Sequence, residues 1–272
     1  MFPKVAEEVS NSVEKEGISF IFEARSLSAV VRYIYTPLEG NLSDIEVEIN
    51  NSEAIKFAEG GGIAIEMGGK IWSADDEEVE RHFVSCEPVG DCIEARWHWK
   101  HGEELADFLY RIRIHQKSLV VELEGGNGKA SGVDLGYVSG AVHPRVIQVP
   151  YFSFGDGSPL LLATSGVFVS SVLDWSETAA AQIYAPPAHD PSHEIRLGGG
   201  CFYHPASDGR RRALRERWIL TLSRQFEEVL PTIPVRQRPS GSAELDDLIW
   251  YQVPALPPSE EAYVEVYDQL RS

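Results

Sequence analysis

The sequence is short of cysteine, of basic charge, of long apolar runs and of helical periodicity, and each shortage closes off a class of protein. Three cysteines, Cys86, Cys92 and Cys201, are an odd set, which does not build the disulfide framework of a small secreted domain. Cys86 and Cys92 flank Pro88-Val89-Gly90-Asp91, so a hairpin there brings them close; a bridge is compatible with that spacing, and free buried thiols are the expectation. Against 42 acidic side chains stand 24 basic ones, for a formal net charge of -18, and such a chain repels a phosphate backbone. Nucleic acid is not an expected partner. The basic group Arg210 to Arg212 with Arg215 and Arg217 sits among alternating apolar residues, which points to a solvated strand face rather than an anion patch. No run approaches the roughly 18 apolar residues of a membrane span, so no membrane partner is expected. The opening MFPKVAEEVSNSVEKEG has no apolar signal core. A soluble chain is expected, its compartment open and the cytoplasm slightly favoured.

What the sequence does contain, from Gly17 onward, is strand grammar: short runs rich in Val, Ile, Phe, Tyr and Trp, broken by Gly, Asn, Asp and Pro. Ile18, Phe20 and Phe22 are expected on one face of a first strand, Val31, Tyr33 and Tyr35 on a second, and Ile45, Val47 and Ile49 on a third. Further strands are expected over 55–57, 62–67, 81–87, 91–100, 106–115 and 118–124. The clearest hairpin joins ADFLYRIRIH to SLVVELEG through Gln116 and Lys117. In it Tyr110, Ile112 and Ile114 face one way and Arg111, Arg113 and His115 the other, the pattern of a half-solvated antiparallel sheet. ARWHWK repeats it, with Trp97 and Trp99 opposed to Arg96, His98 and Lys100. Strands resume after GGNGKASG, in LLLATSGVFVSS, at 180–184 and 200–203, and in ALRERWILTLSR, where Trp218, Leu220 and Leu222 share a face. The fold class is mainly β, a large antiparallel β-sandwich.

The texture changes near Gln225. Residues 1–16 read as an N-terminal segment, 17–224 as the sandwich, and 225–245, proline-rich and polar, as a linker or strap. Over 246–272 a strand in DLIWYQVPAL precedes a helix that Ser259 caps, with Glu260 and Glu261 in its first turn and Tyr263, Val266, Tyr267 and Leu270 at helical spacing. One strand and one helix are how an α/β unit begins.

The succession ADFLYRIRIHQKSLVVELEG, VIQVPYFSFGDGSPLLL, GVFVSSVLDWS and ERWILTLSRQFEEVLPTIP, leading into DLIWYQVPAL, resembles the galactose-mutarotase-like β-supersandwich that precedes the catalytic (β/α) barrel in α-galactosidase-like glycoside hydrolases. The resemblance spans roughly Gly17 to Ser272 and rests on strand texture and order, not on an invariant signature; within it DLIWYQVPAL is similar to the first barrel strand. It implies a non-catalytic domain that packs on a barrel, lends loops to its pocket, and has carbohydrate and the remaining catalytic domain of the same chain as partners. The catalytic carboxylates of such enzymes lie on barrel strands, and the sequence is expected to stop short of those strands. No catalytic residue is therefore assigned.

Within LDWS, Asp174 and Trp175 combine a carboxylate with an aromatic face, the pairing that holds a sugar ring through its hydroxyls and its C–H face; core packing is the ordinary role of such a Trp. Trp250 and Tyr251 carry the same two readings. His189 and His193, four apart in HDPSHE, have metal-ligand spacing only on a helix, which Pro191 and Pro186-Pro187 oppose. A loop is expected there, and no metal or cofactor. FGDG and GGNG lack the repeated acidic oxygens of a calcium loop, and the glycine triplets at 60–62 and 198–200 lack the helix and lysine of a phosphate loop; turns or bulges are expected. An aldose epimerase would need a histidine and a carboxylate converging on sugar. His143, Arg145, Asp156, His189, His193, His204 and a late Glu show no spacing that selects such a set. Three functions remain open: accessory domain of a glycoside hydrolase, free-standing carbohydrate-binding module, and isomerase. A structural role in assembly is compatible with the same sequence.

Overall fold

A computed structural model describes residues 2–149, 159–186 and 194–232, all within the first of the two units, 1–233 and 234–272, into which the chain divides. The expected strand and helix over 246–272 lie outside the described residues. The described strands follow in order: β1 (Ser10–Glu16), β2 (Ser19–Arg25), β3 (Val30–Tyr35), β4 (Ile45–Ile49), β5 (Lys56–Glu59), β6 (Gly62–Met67), β7 (Lys70–Trp72), β8 (Glu80–Val89), β9 (Cys92–His101) and β10 (Glu104–His115). The series continues with β11 (Ser118–Gly125), β12 (Ala130–Asp134), β13 (Tyr137–Ser139), β14 (Arg145–Gln148), β15 (Leu160–Thr164), β16 (Val167–Leu173), β17 (Gln182–Tyr184), β18 (Gly200–Phe202) and β19 (Leu214–Ser223). Among the described residues no helix reaches seven residues.

The strands form an antiparallel sheet of eight, ordered β14-β15-β16-β19-β11-β10-β9-β8, a sheet of four, β1-β2-β3-β4, a sheet of five, β17-β18-β12-β6-β7, and the pair β13-β5. The sheet of eight is one layer, and the other sheets pack on one of its faces. That inner face carries Trp97 and Trp99 from β9, Phe108 and Tyr110 from β10, Leu119 and Val121 from β11, and Trp218 and Leu220 from β19, all buried in one continuous core with Phe20, Phe22, Tyr33 and Tyr35. Each such side chain removed from water contributes roughly 1.5–3 kcal/mol. Polar contacts cross the layers where a core tyrosine reaches backbone: Tyr33 Oη donates to Lys117 O at 2.5 Å, and Tyr110 Oη to Gly40 O at 2.7 Å. The mainly β antiparallel architecture read from the sequence is the observed one.

Three details differ from expectation. Ile18 does not share the buried face of Phe20 and Phe22; it sits in the β1–β2 turn, 61% exposed. The expected N-terminal segment contains β1, whose SNSVEKE shows no apolar alternation because every residue of it is exposed at a sheet edge. The strap begins as core: the 3-10 turn Phe226–Val229 buries Glu228 and Val229. The cysteines are free, as expected, Cys201 buried and Cys86 and Cys92 half-buried; Cys86 opposes Ala95 while Cys92 opposes Val89, further along the same hairpin. The triplet at 60–62 does begin in a turn, with Gly60 at φ 67. Gly125, at φ 121, ends β11 where a Cβ would stand 2.2 Å from Asp107 O, so only glycine fits.

Candidate functional site

The outer face of the sheet of eight carries a dense arrangement of paired charge. Alternation along each strand sends Glu94 and Arg96 of β9, Leu109 and Arg111 of β10, Glu122 and Glu124 of β11, and Arg215 and Arg217 of β19 away from the core. Register then aligns them. Glu94 opposes Arg111, Arg111 opposes Glu122, and Glu122 opposes Arg217, while Asp174 continues the row through its N–H on Arg217 O at 2.7 Å. The row reads minus, plus, minus, plus, minus across neighbouring segments. A second row holds Arg96, Leu109, Glu124 and Arg215.

Opposite signs facing each other across an antiparallel pair stabilise the register, and here most are in contact. Arg111 Nε donates to Glu94 Oε1 at 2.9 Å and its Nη1 lies 2.7 Å from Glu124 Oε2; Arg96 Nη2 donates to Glu94 Oε2 at 2.7 Å. Arg217 Nε donates to Glu122 Oε1 at 3.1 Å and Nη1 to Asp174 Oδ2 at 3.2 Å, with Arg113 Nη2 3.8 Å from Glu122 Oε1. At the border His98 Nδ1 is 2.7 Å from Asp107 Oδ1. Hydrogen bonding to Arg111 holds the Glu94 carboxyl below the usual range against the opposing effect of burial, and the same bond raises the Arg111 guanidinium. Among these charges lies a depression of about 420 Å³, lined in part by Arg96, Asp107, Leu109, Glu124 and Gly125.

Asp174 and Trp175, adjacent in sequence, have different surroundings. Asp174 is 1% exposed, its Oδ1 accepting from Ser176 N at 3.2 Å and Ser176 Oγ at 2.6 Å while Oδ2 takes Arg217; it closes the charged row and orients Arg217. Trp175 is half-buried and packs on the small cluster of Val149, Leu161 and Val229, beside Phe168 and Phe226. It also edges a narrow crevice with Tyr184 and Gly198 to Gly200. One residue thus serves the charged row and the other an apolar patch. Trp250 and Tyr251 lie outside the described residues, as do His189, His193 and Asp156. His143, at φ 47, follows β13, and Arg145 is exposed at the start of β14, while the exposed His204 follows β18 with its Nε2 3.4 Å from Gln182 Oε1.

Two features of this sheet escape a reading of the sequence alone. Glu216, on the inner face of β19, is buried with Oε1 accepting from Tyr203 Oη at 2.5 Å and Thr178 Oγ1 at 2.7 Å, while Oε2 has no hydrogen-bond partner among the described residues. Burial raises its pKa over the opposing effect of those bonds. Lys117, a turn residue, is buried in a cluster with Glu7, Glu228 and Ser223. The signal for the charged rows is present in the alternation of ARWHWK, RIRIH, ELEG and RERW, but each run by itself indicates only a solvated face. Among the described residues no three His, Cys, Asp or Glu are grouped to hold a metal, and no helix is long and apolar enough to cross a membrane. No protein-family model, no curated protein and no solved structure matches the chain.

Proposed function

We propose that the protein is a carbohydrate-binding β-sandwich, an accessory domain of the kind that precedes the catalytic barrel of α-galactosidase-like glycoside hydrolases, and that sugar lies on the charged outer face of the sheet of eight. The observation that carries this reading is the balance of charge. On a chain with net charge -18, this face sets Glu94, Glu122, Glu124, Asp107 and Asp174 against Arg96, Arg111, Arg113, Arg215 and Arg217. An anion or a cation would meet repulsion from about half of these groups. A neutral polyol meets none, because each hydroxyl both donates to a carboxylate and accepts from a guanidinium. The depression has Leu109 in its lining, an apolar surface for the C–H face of a ring, and its size falls in the range of small-molecule sites.

No described residue has a catalytic role in this reading: the charges are engaged with one another, and the domain's part is to hold and present sugar. Isothermal titration with a panel of mono- and oligosaccharides tests it. At least one sugar should bind, and Arg111→Ala and Glu124→Gln should each weaken it about tenfold, the loss of one charged hydrogen bond of roughly 1.5 kcal/mol. A panel with no binder, or binding indifferent to both substitutions, would contradict the reading.

A further inference from the structure

Away from the charged face, the layers do not close fully where β1 and β2 approach the tip of the β8–β9 hairpin. The gap is a cavity of about 250 Å³, its apolar lining supplied by Val13, Phe20, Phe22, Pro88, Cys92 and Ile93. Register explains it. Val13 opposes Phe22 and Lys15 opposes Phe20, so both side chains of β1 belong on the core side of their sheet, yet Val13 remains 43% exposed while Phe22 is fully buried. The inner face of β1 therefore lies over space instead of over protein. A cavity of about 150 Å³ lined by aliphatic and aromatic groups already accepts benzene, and this one is larger.

Charge selects among occupants. Lys15 extends along the same wall, its Nζ 5.1 Å from the centre of the Phe20 ring, and forms no ion pair among the described residues. Its charge reaches Cys86 on β8, opposing the burial that pushes that thiol up to about 11. Glu14 and Asp91 also border the cavity. Glu14, however, opposes Ile21 and so belongs to the other face of the same strands, and Asp91 sits in the hairpin turn, exposed like Lys15 but without the contact that Lys15 makes with the Phe20 ring. A half-open apolar cavity with one ammonium at its rim, that of the exposed Lys15 reaching over the Phe20 ring, suits an apolar body bearing a single negative group. We infer that the cavity between β1–β2 and the β8–β9 turn binds a small aromatic monocarboxylate, its ring against Phe20, Phe22 and Ile93 and its carboxylate on Lys15.

The test is an NMR titration of the full chain with 3-phenylpropionate, using 3-phenylpropan-1-ol and acetate as comparators. The acid should bind more tightly than either by about tenfold or more. Lys15→Gln should bring it to the level of the alcohol, Lys15→Arg should keep it, and Val13→Trp, which fills the chamber from an exposed strand, should abolish it with the circular dichroism unchanged. No binding of the acid, equal binding of acid and alcohol, or binding unaffected by Val13→Trp would overturn the assignment.

Discussion

The outer face of the sheet of eight has two ends, and they treat charge in opposite ways. At the end near the β10–β11 turn the face is covered. Phe2 lies on His115 with ring centres 4.6 Å apart, Phe226 meets Phe168 at 5.3 Å, and Glu7 and Glu228 close over Lys117. The Lys117 side chain is 4% exposed; its ammonium donates to Glu7, to Glu228 Oε2 at 2.5 Å and to Ser223 Oγ at 3.0 Å, while Glu228 Oε1 accepts from Ala6 N at 2.9 Å. At the other end, from Arg96 through Arg111 and Glu124 to Arg215, the side chains are half-exposed or exposed, and they keep lone pairs and protons for water or a ligand. Covered ions lock chain segments together; uncovered ions of the same types form a surface. Burial, not residue identity, makes the difference.

The largest effect should separate the two ends by stability. Lys117→Met leaves the covered Glu7 and Glu228 without their cation, held only by Ser28, Ser223 and the Ala6 N–H, and should cost about 3–5 kcal/mol, the usual penalty for breaking a buried pair. Arg111→Met, which removes as many ionic contacts from a half-exposed site, should cost less than about 1 kcal/mol. Urea denaturation of both variants measures the contrast, and equal losses would erase it.

Acidification should act next, and on the covered end first. Burial opposes ionisation of Glu7, but hydrogen bonds from Lys117, Ser28 and Ser26 outweigh it and hold the carboxyl at about 2 against an ordinary 4.5; Glu228 is likewise lowered, burial being overcome by Lys117, Ser223 and the Ala6 N–H. A carboxyl whose folded pKa is depressed contributes stability above its unfolded value and loses it as pH falls through the folded one. The N-terminal segment should therefore release between about pH 4.5 and 2, seen as faster amide exchange at Ala6 and Glu7. Asp44 runs the other way. Burial raises it to about 6 despite N–H donors from Glu39 and Gly40 at 2.8 and 2.9 Å. Its contribution is complete below the ordinary 3.8 and lost as pH rises through about 6, and Asp44→Asn should remove that dependence from the same denaturation experiment.

Part of this contrast is legible in the sequence. Alternation places Phe20, Phe22, Tyr33, Tyr35, Trp97, Trp99 and Trp218 inside, because a period of two is a local property of each strand. Arg111 and Arg113 are legible as outward-facing for the same reason. Their partners are not: β19 lies between β16 and β11, so Arg217 meets Glu122 and Asp174 only through non-local pairing. Lys117 reads as a solvated turn lysine, and only the folding of Glu7 and Glu228 over it turns it into a buried ion. Of the ligand residues suggested by the sequence, Asp174 belongs to the charged row, Trp175 to the apolar patch beside it, and Trp250 and Tyr251 lie outside the described residues.

If the uncovered end is the surface that receives sugar, amide chemical-shift mapping with the tightest-binding saccharide of the panel tests it most directly. Resonances of Glu94 to Arg96, Leu109 to Arg111, Glu122 to Glu124 and Arg215 to Arg217 should shift together while those of His115 to Ser118 and Thr221 to Ser223 stay still. Shifts confined to the covered end, or the absence of any shift along the charged rows, would contradict it.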